Sequence, residues 1–308
     1  MADRSTLVIG TRGSPLALAQ AHEAQERLAA ALGWDLVQLP LSIIKTTGDA
    51  IQDRPLSEAG GKGLFTKELD VALLEGAIDL AVHSAKDLPT VLPNDLVIAG
   101  YLPREDVRDA FISLRARTFM DLPKRAVVGS ASLRRQAQMK RLRPDLQISL
   151  LRGNVGTRLA KLERGEVDAT LLAMAGLNRL GLTRHVTAIL DTDDFLPAVG
   201  QGAIALVTRA ADTRALQAVE HIIDAATGSE LAAERAYLAV LEGSCRTPIA
   251  GHARLIEGRL AFRGFVLRPD GSQSLATAGD GPVTDAERIG RAAGQDLRSR
   301  MPPGFLSA

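Results

Sequence analysis

Thr6-Leu7-Val8-Ile9-Gly10-Thr11-Arg12-Gly13-Ser14-Pro15-Leu16 is the stretch whose reading decides the fold. Its apolar, β-branched start predicts a strand over residues 6–9 and a polar loop over 10–15. From Leu16 to Leu32 apolar residues and alanines recur at helical spacing, with Ser14 suited to the N-cap and Pro15 to the first helical position. Strand, polar loop and helix start form one α/β unit. The helix N-terminus makes it a candidate anion site, although an ordinary capped helix explains the segment equally well.

The same alternation runs outward from there. Residues 36–44, 77–82 and 96–102 read as strands, and 66–75 as a helix between them. Val127-Val128-Gly129-Ser130-Ala131-Ser132-Leu133-Arg134-Arg135 returns to strand, small polar loop and helix start. Two more strands, 148–151 and 167–173, lead into Arg152-Gly153-Asn154-Val155-Gly156-Thr157-Arg158 and Gly176-Leu177-Asn178-Arg179-Leu180. Open α/β sheets place ligands beyond the carboxyl ends of their strands. Arg134, Arg135, Arg152, Arg158 and Arg179 then share one sheet edge, and such a set suits bidentate recognition of a polycarboxylate. His83-Ser84-Ala85-Lys86-Asp87-Leu88-Pro89 places four polar residues directly after another strand. A solvated turn closed by Pro89 is the plain alternative.

Pro103-Arg104-Glu105-Asp106 reads as a crossing between domains, and residues 195–203 as a loop before a strand at 204–207 that returns to the first domain. The pattern is helical over 212–241, with Glu230, Glu234 and Arg235 on polar faces. Strands at 253–256 and 259–267, a Pro269-Asp270-Gly271 turn and a helix over 284–300 close the chain. The expected fold is α/β, with two lobes and a small α+β C-terminal domain. The expected boundaries are residues 1–102 with 200–220, then 103–199, then 221–308. No internal repeat is apparent.

Composition narrows the function. With 308 residues, 46% hydrophobic, the chain supports two or three cored domains. A net charge of +1 and 3% aromatic residues argue against a nucleic-acid binder. Thirty arginines stand against seven lysines. No stretch approaches membrane-spanning length, and no export signal is evident, so a cytoplasmic protein is expected. The five histidines lack metal-ligand spacing, so no metal is expected. Gly60-Gly61-Lys62-Gly63 resembles a phosphate loop but has Gly63 where a hydroxyl residue is required. A glycine-rich lid carrying Lys62 and Phe65 suits it better.

Leu241-Glu242-Gly243-Ser244-Cys245-Arg246-Thr247-Pro248 holds the sole cysteine, so no intrachain disulfide forms. Gly243 and Pro248 mark a turn, and the neighbouring Arg246 favours the thiolate. A buried, inert thiol fits these residues as well.

Taken together, Thr11 to Leu18, Gly60 to Phe65, Ala81 to Pro89, Gly129 to Arg135, Leu151 to Arg158, Leu196 to Gly202 and Leu241 to Pro248 closely resemble the porphobilinogen deaminase family, in family order. Departures are small. Ala131 replaces a frequent hydroxyl residue, and Asn178 and Glu58 fall where a basic residue is common. The resemblance implies lobes like those of type II periplasmic binding proteins and a dipyrromethane cofactor joined by a thioether to Cys245. It implies stepwise addition of four porphobilinogen units, each losing ammonia, and release of hydroxymethylbilane by hydrolysis. It also implies a monomer. Asp87 is the expected cation-stabilising and proton-transferring carboxylate, with Lys86 beside it. Ser84, Ser130, Ser132, Arg134, Arg135, Lys86 and Asp87 are expected around the cofactor. Arg12, Ser14, Arg152, Arg158, Arg179 and Gln201 are expected on the substrate. The rival reading is a two-lobed small-anion-binding module without catalysis, which leaves Cys245 and the third domain without a role.

Overall fold

The computed structural model describes residues 6–50, 64–244 and 247–306. Its strands and helices run β1 (Ile9–Arg12), α1 (Pro15–Leu32), β2 (Leu41–Ile44), α2 (Thr47–Ala50), α3 (Lys67–Leu74), β3 (Leu80–Ser84) and β4 (Leu96–Tyr101). There follow β5 (Asp109–Ser113), β6 (Val127–Gly129), α4 (Leu133–Leu142), β7 (Gln147–Ser149), α5 (Val155–Glu163), β8 (Ala169–Ala173), α6 (Met174–Arg179) and β9 (Ala188–Ile189). The chain ends with β10 (Ile204–Arg209), α7 (Thr213–Glu220), α8 (Ala225–Val240), β11 (Ile249–Ile256), β12 (Arg259–Leu267), β13 (Ser274–Pro282) and α9 (Ala286–Arg300).

Two compact units result. The first holds the described residues up to 105 together with 203–228; the second holds 106–202 and the described residues from 229 on. The first unit is built on one sheet of order β2-β1-β3-β10-β4, in which β10 alone runs antiparallel to its neighbours. The second contains a sheet of order β7-β6-β8-β5-β9, in which β5 alone runs antiparallel. Each is an α/β lobe with a single antiparallel strand in an otherwise parallel sheet. The second unit also contains the antiparallel meander β11-β12-β13. Tyr237 of α8, Phe262 of β12 and Ile289 of α9 share its core. The two helices approach closely at Gly290, where any Cβ would collide with the carbonyl oxygen of Ala233.

The two lobe sheets correspond residue by residue, a repeat that the sequence does not display. Asp79 and Asp168 mark the register. Each main-chain N–H donates to the carbonyl of a valine, Asp79 to Val8 just before β1 (2.9 Å) and Asp168 to Val127 at the start of β6 (2.8 Å). Each carboxylate in turn accepts from that residue's N–H, at 2.9 and 2.8 Å. Each carbonyl accepts a hydroxyl of the antiparallel strand, Thr208 on Asp79 and Ser113 on Asp168, both at 2.8 Å. Each is preceded by a glycine in the left-handed region, Gly76 (φ 71) and Gly165 (φ 75), which closes the crossover helix.

Several expected elements change. β1 runs through Arg12, so the first loop begins later than the sequence suggests. Residues 36–38 form a 3-10 turn before Pro40, and only Leu41–Ile44 is strand. His83 and Ser84 belong to β3 rather than to the loop beyond it. Residues 176–179 are helical, and the helix expected over 212–241 is two, α7 and α8. Glu234 is on no polar face. It is fully buried and accepts from the N–H groups of Gly200 (2.7 Å) and Ala253 (2.9 Å), tying the 197–202 loop to β11.

Candidate active site

In the first lobe the site is the carboxyl end of β3. The strand passes into a single 3-10 turn, Ala85–Asp87, held by the Ala85 N–H donating to the Ala203 carbonyl at 3.0 Å. That turn presents Lys86 and Asp87 while Leu88 packs inward. A guanidinium nitrogen of Arg12, from the end of β1, lies 3.6 Å from an Asp87 carboxylate oxygen. The Arg12 guanidinium also sits over the Phe65 ring, 4.2 Å from its centroid, a cation–π contact. Three expected residues, Arg12, Asp87 and Phe65, are thus brought together. Ser84 is tied to α1 instead. Its hydroxyl accepts from the Gln20 amide at 2.9 Å and donates back at 3.0 Å. Ser14 is the N-cap of α1, accepting from the Ala17 N–H at 3.2 Å. Lys62 lies outside the described residues.

In the second lobe the site is the shared edge of β6, β7 and β8, three mutually parallel strands. Ser132 and Asn154 cap α4 and α5 there, accepting from the N–H groups of Arg135 and Thr157. Two helix N-termini therefore add positive potential to this edge. Gly153, at φ 111, makes the turn before α5; a Cβ there would press on Thr157. Its carbonyl accepts from Arg158 Nε at 2.9 Å. Arg152 is buried, and Arg179 donates both terminal N–H groups to the Gly202 carbonyl at 3.2 Å. Ser130 lies at the end of β6, its hydroxyl accepting from the Ser132 N–H at 3.2 Å.

Arg134 and Arg135 do not stand out from this edge as the sequence suggests. Both are buried, at 4% and 6% exposure, and converge on the fully buried Asp109 of β5 at 2.7 Å each. Arg134 also donates to the Leu196 carbonyl, and Arg135 to that of Leu171. Gln201, also fully buried, donates to Asp109 at 2.9 Å and to the Val107 carbonyl at 2.7 Å. Burial opposes the Asp109 charge, but the two guanidinium groups and the donated hydrogen bonds overcome it and hold the carboxyl far below the usual range. Sequence reasoning missed Asp109. Its one signal was indirect, since two adjacent arginines entering a core require a counter-ion.

Cys245 lies outside the described residues. Its described flanks are joined by Thr247, whose hydroxyl accepts from the Ser244 N–H (2.9 Å) and donates to the Ser244 carbonyl (2.7 Å). A Cβ at Gly243 would collide with Leu238 and crowd Ile249.

Comparison with known proteins decides the family. Residues 7–217 match the domain described as "Porphobilinogen deaminase, dipyromethane cofactor binding domain", and 229–299 match "Porphobilinogen deaminase, C-terminal domain". The chain belongs to the porphobilinogen deaminase family. Porphobilinogen deaminases of Nitrobacter hamburgensis and Nitrobacter winogradskyi are 57% and 56% identical to it over 299 residues. That of Paracoccus denitrificans is 53% identical over 298. Each alignment covers 97% of this chain and 95% of the relative.

The residues present fit the family's dipyrromethane cofactor, whose pyrroles each carry an acetate and a propionate. Two guanidinium groups on one carboxylate leave the Arg134–Arg135–Asp109 node with a net positive charge inside the lobe. Arg134 Nε is buried there without a hydrogen-bond partner among the described residues. A buried excess of positive charge beside two helix N-termini is a setting that an anionic group completes.

Proposed function

We propose that this chain is a cytoplasmic, monomeric transferase that condenses porphobilinogen head to tail, four units in succession, and releases hydroxymethylbilane. The observation that carries the reading is Asp87, a carboxylate set at a sheet's ligand edge against Arg12, in a chain of this family. When bound, the dipyrromethane supplies the pyrrole carbon onto which the first unit is added; in the proposal Cys245 holds it by a thioether.

The chain's own residues have separable tasks. As the aminomethyl C–N bond of porphobilinogen breaks, its electron pair leaves with ammonia, and positive charge develops on the substrate carbon and ring nitrogen. Asp87 faces that charge and lowers its energy. The same carboxylate serves as the acid and base that moves the pyrrole protons, with Lys86 keeping the local potential balanced. Arg12, Ser14, Arg152, Arg158, Arg179 and Gln201 are assigned to the substrate carboxylates. Ser84, Ser130, Ser132, Lys86, Asp87, Arg134 and Arg135 are assigned to the cofactor, the two buried arginines acting through the residual charge of their node. Lys62 and Phe65 are assigned to a loop closing over it. Arginine suits a growing polyanion because each fork can take one carboxylate in two parallel hydrogen bonds.

The test is intact mass. Native protein is expected to exceed its sequence mass by two deaminated porphobilinogen units, and Cys245→Ser to fold and carry none. Substrate-sized mass steps on adding porphobilinogen support the reading, and a mass unchanged in both experiments overturns it.

A further inference from the structure

In the second lobe residues 150–154 join β7 directly to α5, whereas residues 45–66 separate β2 from α3 in the first. The described ends of that longer connection are fastened to one another at two points. The Gly48 N–H donates to the Leu64 carbonyl at 2.8 Å. The N–H and the hydroxyl of Thr47 both donate to one carboxylate oxygen of Glu68, in the first turn of α3, at 2.9 and 2.5 Å. Burial opposes the Glu68 charge, but the Thr47 hydrogen bonds outweigh it and hold the carboxyl below its usual range. Both bonds are therefore charge-assisted.

These bonds seat an aromatic ring. Gly48 is buried, and a Cβ added there would lie 2.4 Å from Cδ1 and from Cε1 of Phe65 and 2.7 Å from the Leu64 carbonyl oxygen. Real Cβ atoms do not come that close, and the carbonyl is backbone that cannot swing aside, so the ring keeps this place only beside a glycine. The same ring lies under the Arg12 guanidinium, 4.2 Å from centroid to guanidinium carbon, and Arg12 stands 3.6 Å from Asp87. A continuous line of contacts thus runs from Glu68 through Thr47 and Gly48 to Phe65, Arg12 and Asp87.

We propose that Gly48 and the Thr47–Glu68 pair are positioning residues that seat the Phe65 ring and so hold the Arg12 guanidinium ready for a substrate carboxylate beside Asp87. A long arginine side chain loses rotamer freedom when it is ordered, which weakens binding unless the order is set in advance. A cation–π contact restrains a guanidinium without consuming an N–H donor. The donors then remain for the two parallel hydrogen bonds that a carboxylate accepts. The inference deepens the functional reading above and rests on it.

The deciding variant is Gly48→Ala. Its methyl group is expected to push the ring off Arg12 and raise the KM for porphobilinogen about three- to tenfold, the worth of one cation–π contact, with kcat little changed. Phe65→Leu should show at least that rise. Gly48→Ala should add nothing to KM in the Phe65→Leu background, because it acts on Arg12 only through the ring. Glu68→Ala should raise KM in the same direction, whereas Glu68→Gln, whose amide oxygen still accepts from Thr47, should stay close to wild type. In NMR spectra of the holoenzyme the Arg12 side-chain resonances should carry an upfield ring-current shift that Gly48→Ala and Phe65→Leu both abolish. A wild-type KM in Gly48→Ala, full additivity with Phe65→Leu, equal KM values in Glu68→Ala and Glu68→Gln, or unmoved Arg12 resonances each overturns the proposal. Wild-type protein that releases no ammonia from porphobilinogen would instead overturn the functional reading, while the Arg12 resonances would still decide whether Gly48 seats the ring.

Discussion

The two lobes share one sheet order and one aspartate-centred register, yet they exchange polar for apolar residues at matched buried positions. Where the first lobe has His83 and Asp70, the second has Leu172 and Leu159. Where the second has Asp109, the first has Ile204, each paired with the matched residue of its neighbour, Ala173 and Ser84. The two arginines on Asp109 occupy the second and third positions of α4; the matching positions of α1 hold Leu16 and Ala17. One scaffold thus carries a carboxylate at its ligand edge in one copy and a buried cationic node in the other. Burying a charge is tolerated only with partners, so each departure from the apolar pattern has to be paired, as Asp109 is, or held neutral.

The largest effect should separate the lobes by activity. Asp87→Asn is expected to lower ammonia release by about a hundredfold or more without lowering the melting temperature, since the role proposed for Asp87 is to stabilise developing charge rather than structure. The matched residue in the second lobe is Gly176, which has no side chain to contribute. Turnover near wild type would remove the functional asymmetry.

Asp109→Asn should show the converse. Two buried guanidinium groups would lose their anion, which is expected to cost about 3–5 kcal/mol in urea unfolding. Because its carboxyl is held far below the usual range, the stability Asp109 contributes is present at neutral pH and lost only in strong acid. A loss under 1 kcal/mol would mean that the node is not what holds the β5 edge.

The smallest effect concerns Asp70, 8% exposed, with one carboxylate oxygen lacking a partner among the described residues. Burial raises its pKa from 3.8 to about 6, with the nearby Glu68 charge adding to the shift. A raised folded value means stability is fully present below about pH 4 and lost as pH rises through about 6. Asp70→Leu, copying Leu159, should therefore gain on wild type between those limits. The gain should reach on the order of 2 kcal/mol at pH 8 by thermal melting. A gain independent of pH would show that packing, not ionisation, separates the two positions.

Much of this was legible in the residues. Ser14 and Pro15 foretold where α1 begins, because capping is a local hydrogen bond and a fixed φ. The shared edge of the three arginine-bearing strand ends followed from the βα alternation, and Asp87 from its place beyond a strand. Asp109 was not legible, because a carboxylate opening an apolar strand looks like a surface residue until the partners that neutralise it are placed. Glu234 failed for the same reason: helical spacing put it on a polar face, while the N–H groups that bury it come from Gly200 and Ala253. The repeat was hidden because the lobes share hydrogen-bond geometry and retain few common residues.

The sequence by itself determined the alternation of strands and helices, the arginine-rich edge, the lone cysteine in its Gly-Ser-Cys-Arg-Thr-Pro segment and the family to which these belong. All of these are local patterns, carried by side-chain periodicity and turn chemistry. Only the tertiary structure decided which arginines are buried on Asp109, that Arg12 meets Asp87 and Phe65, and that His83 is buried where the second lobe has a leucine. Those outcomes depend on charges brought together from distant parts of the chain. Desolvation and pairing set their energies there, and neither can be read until both partners are in place.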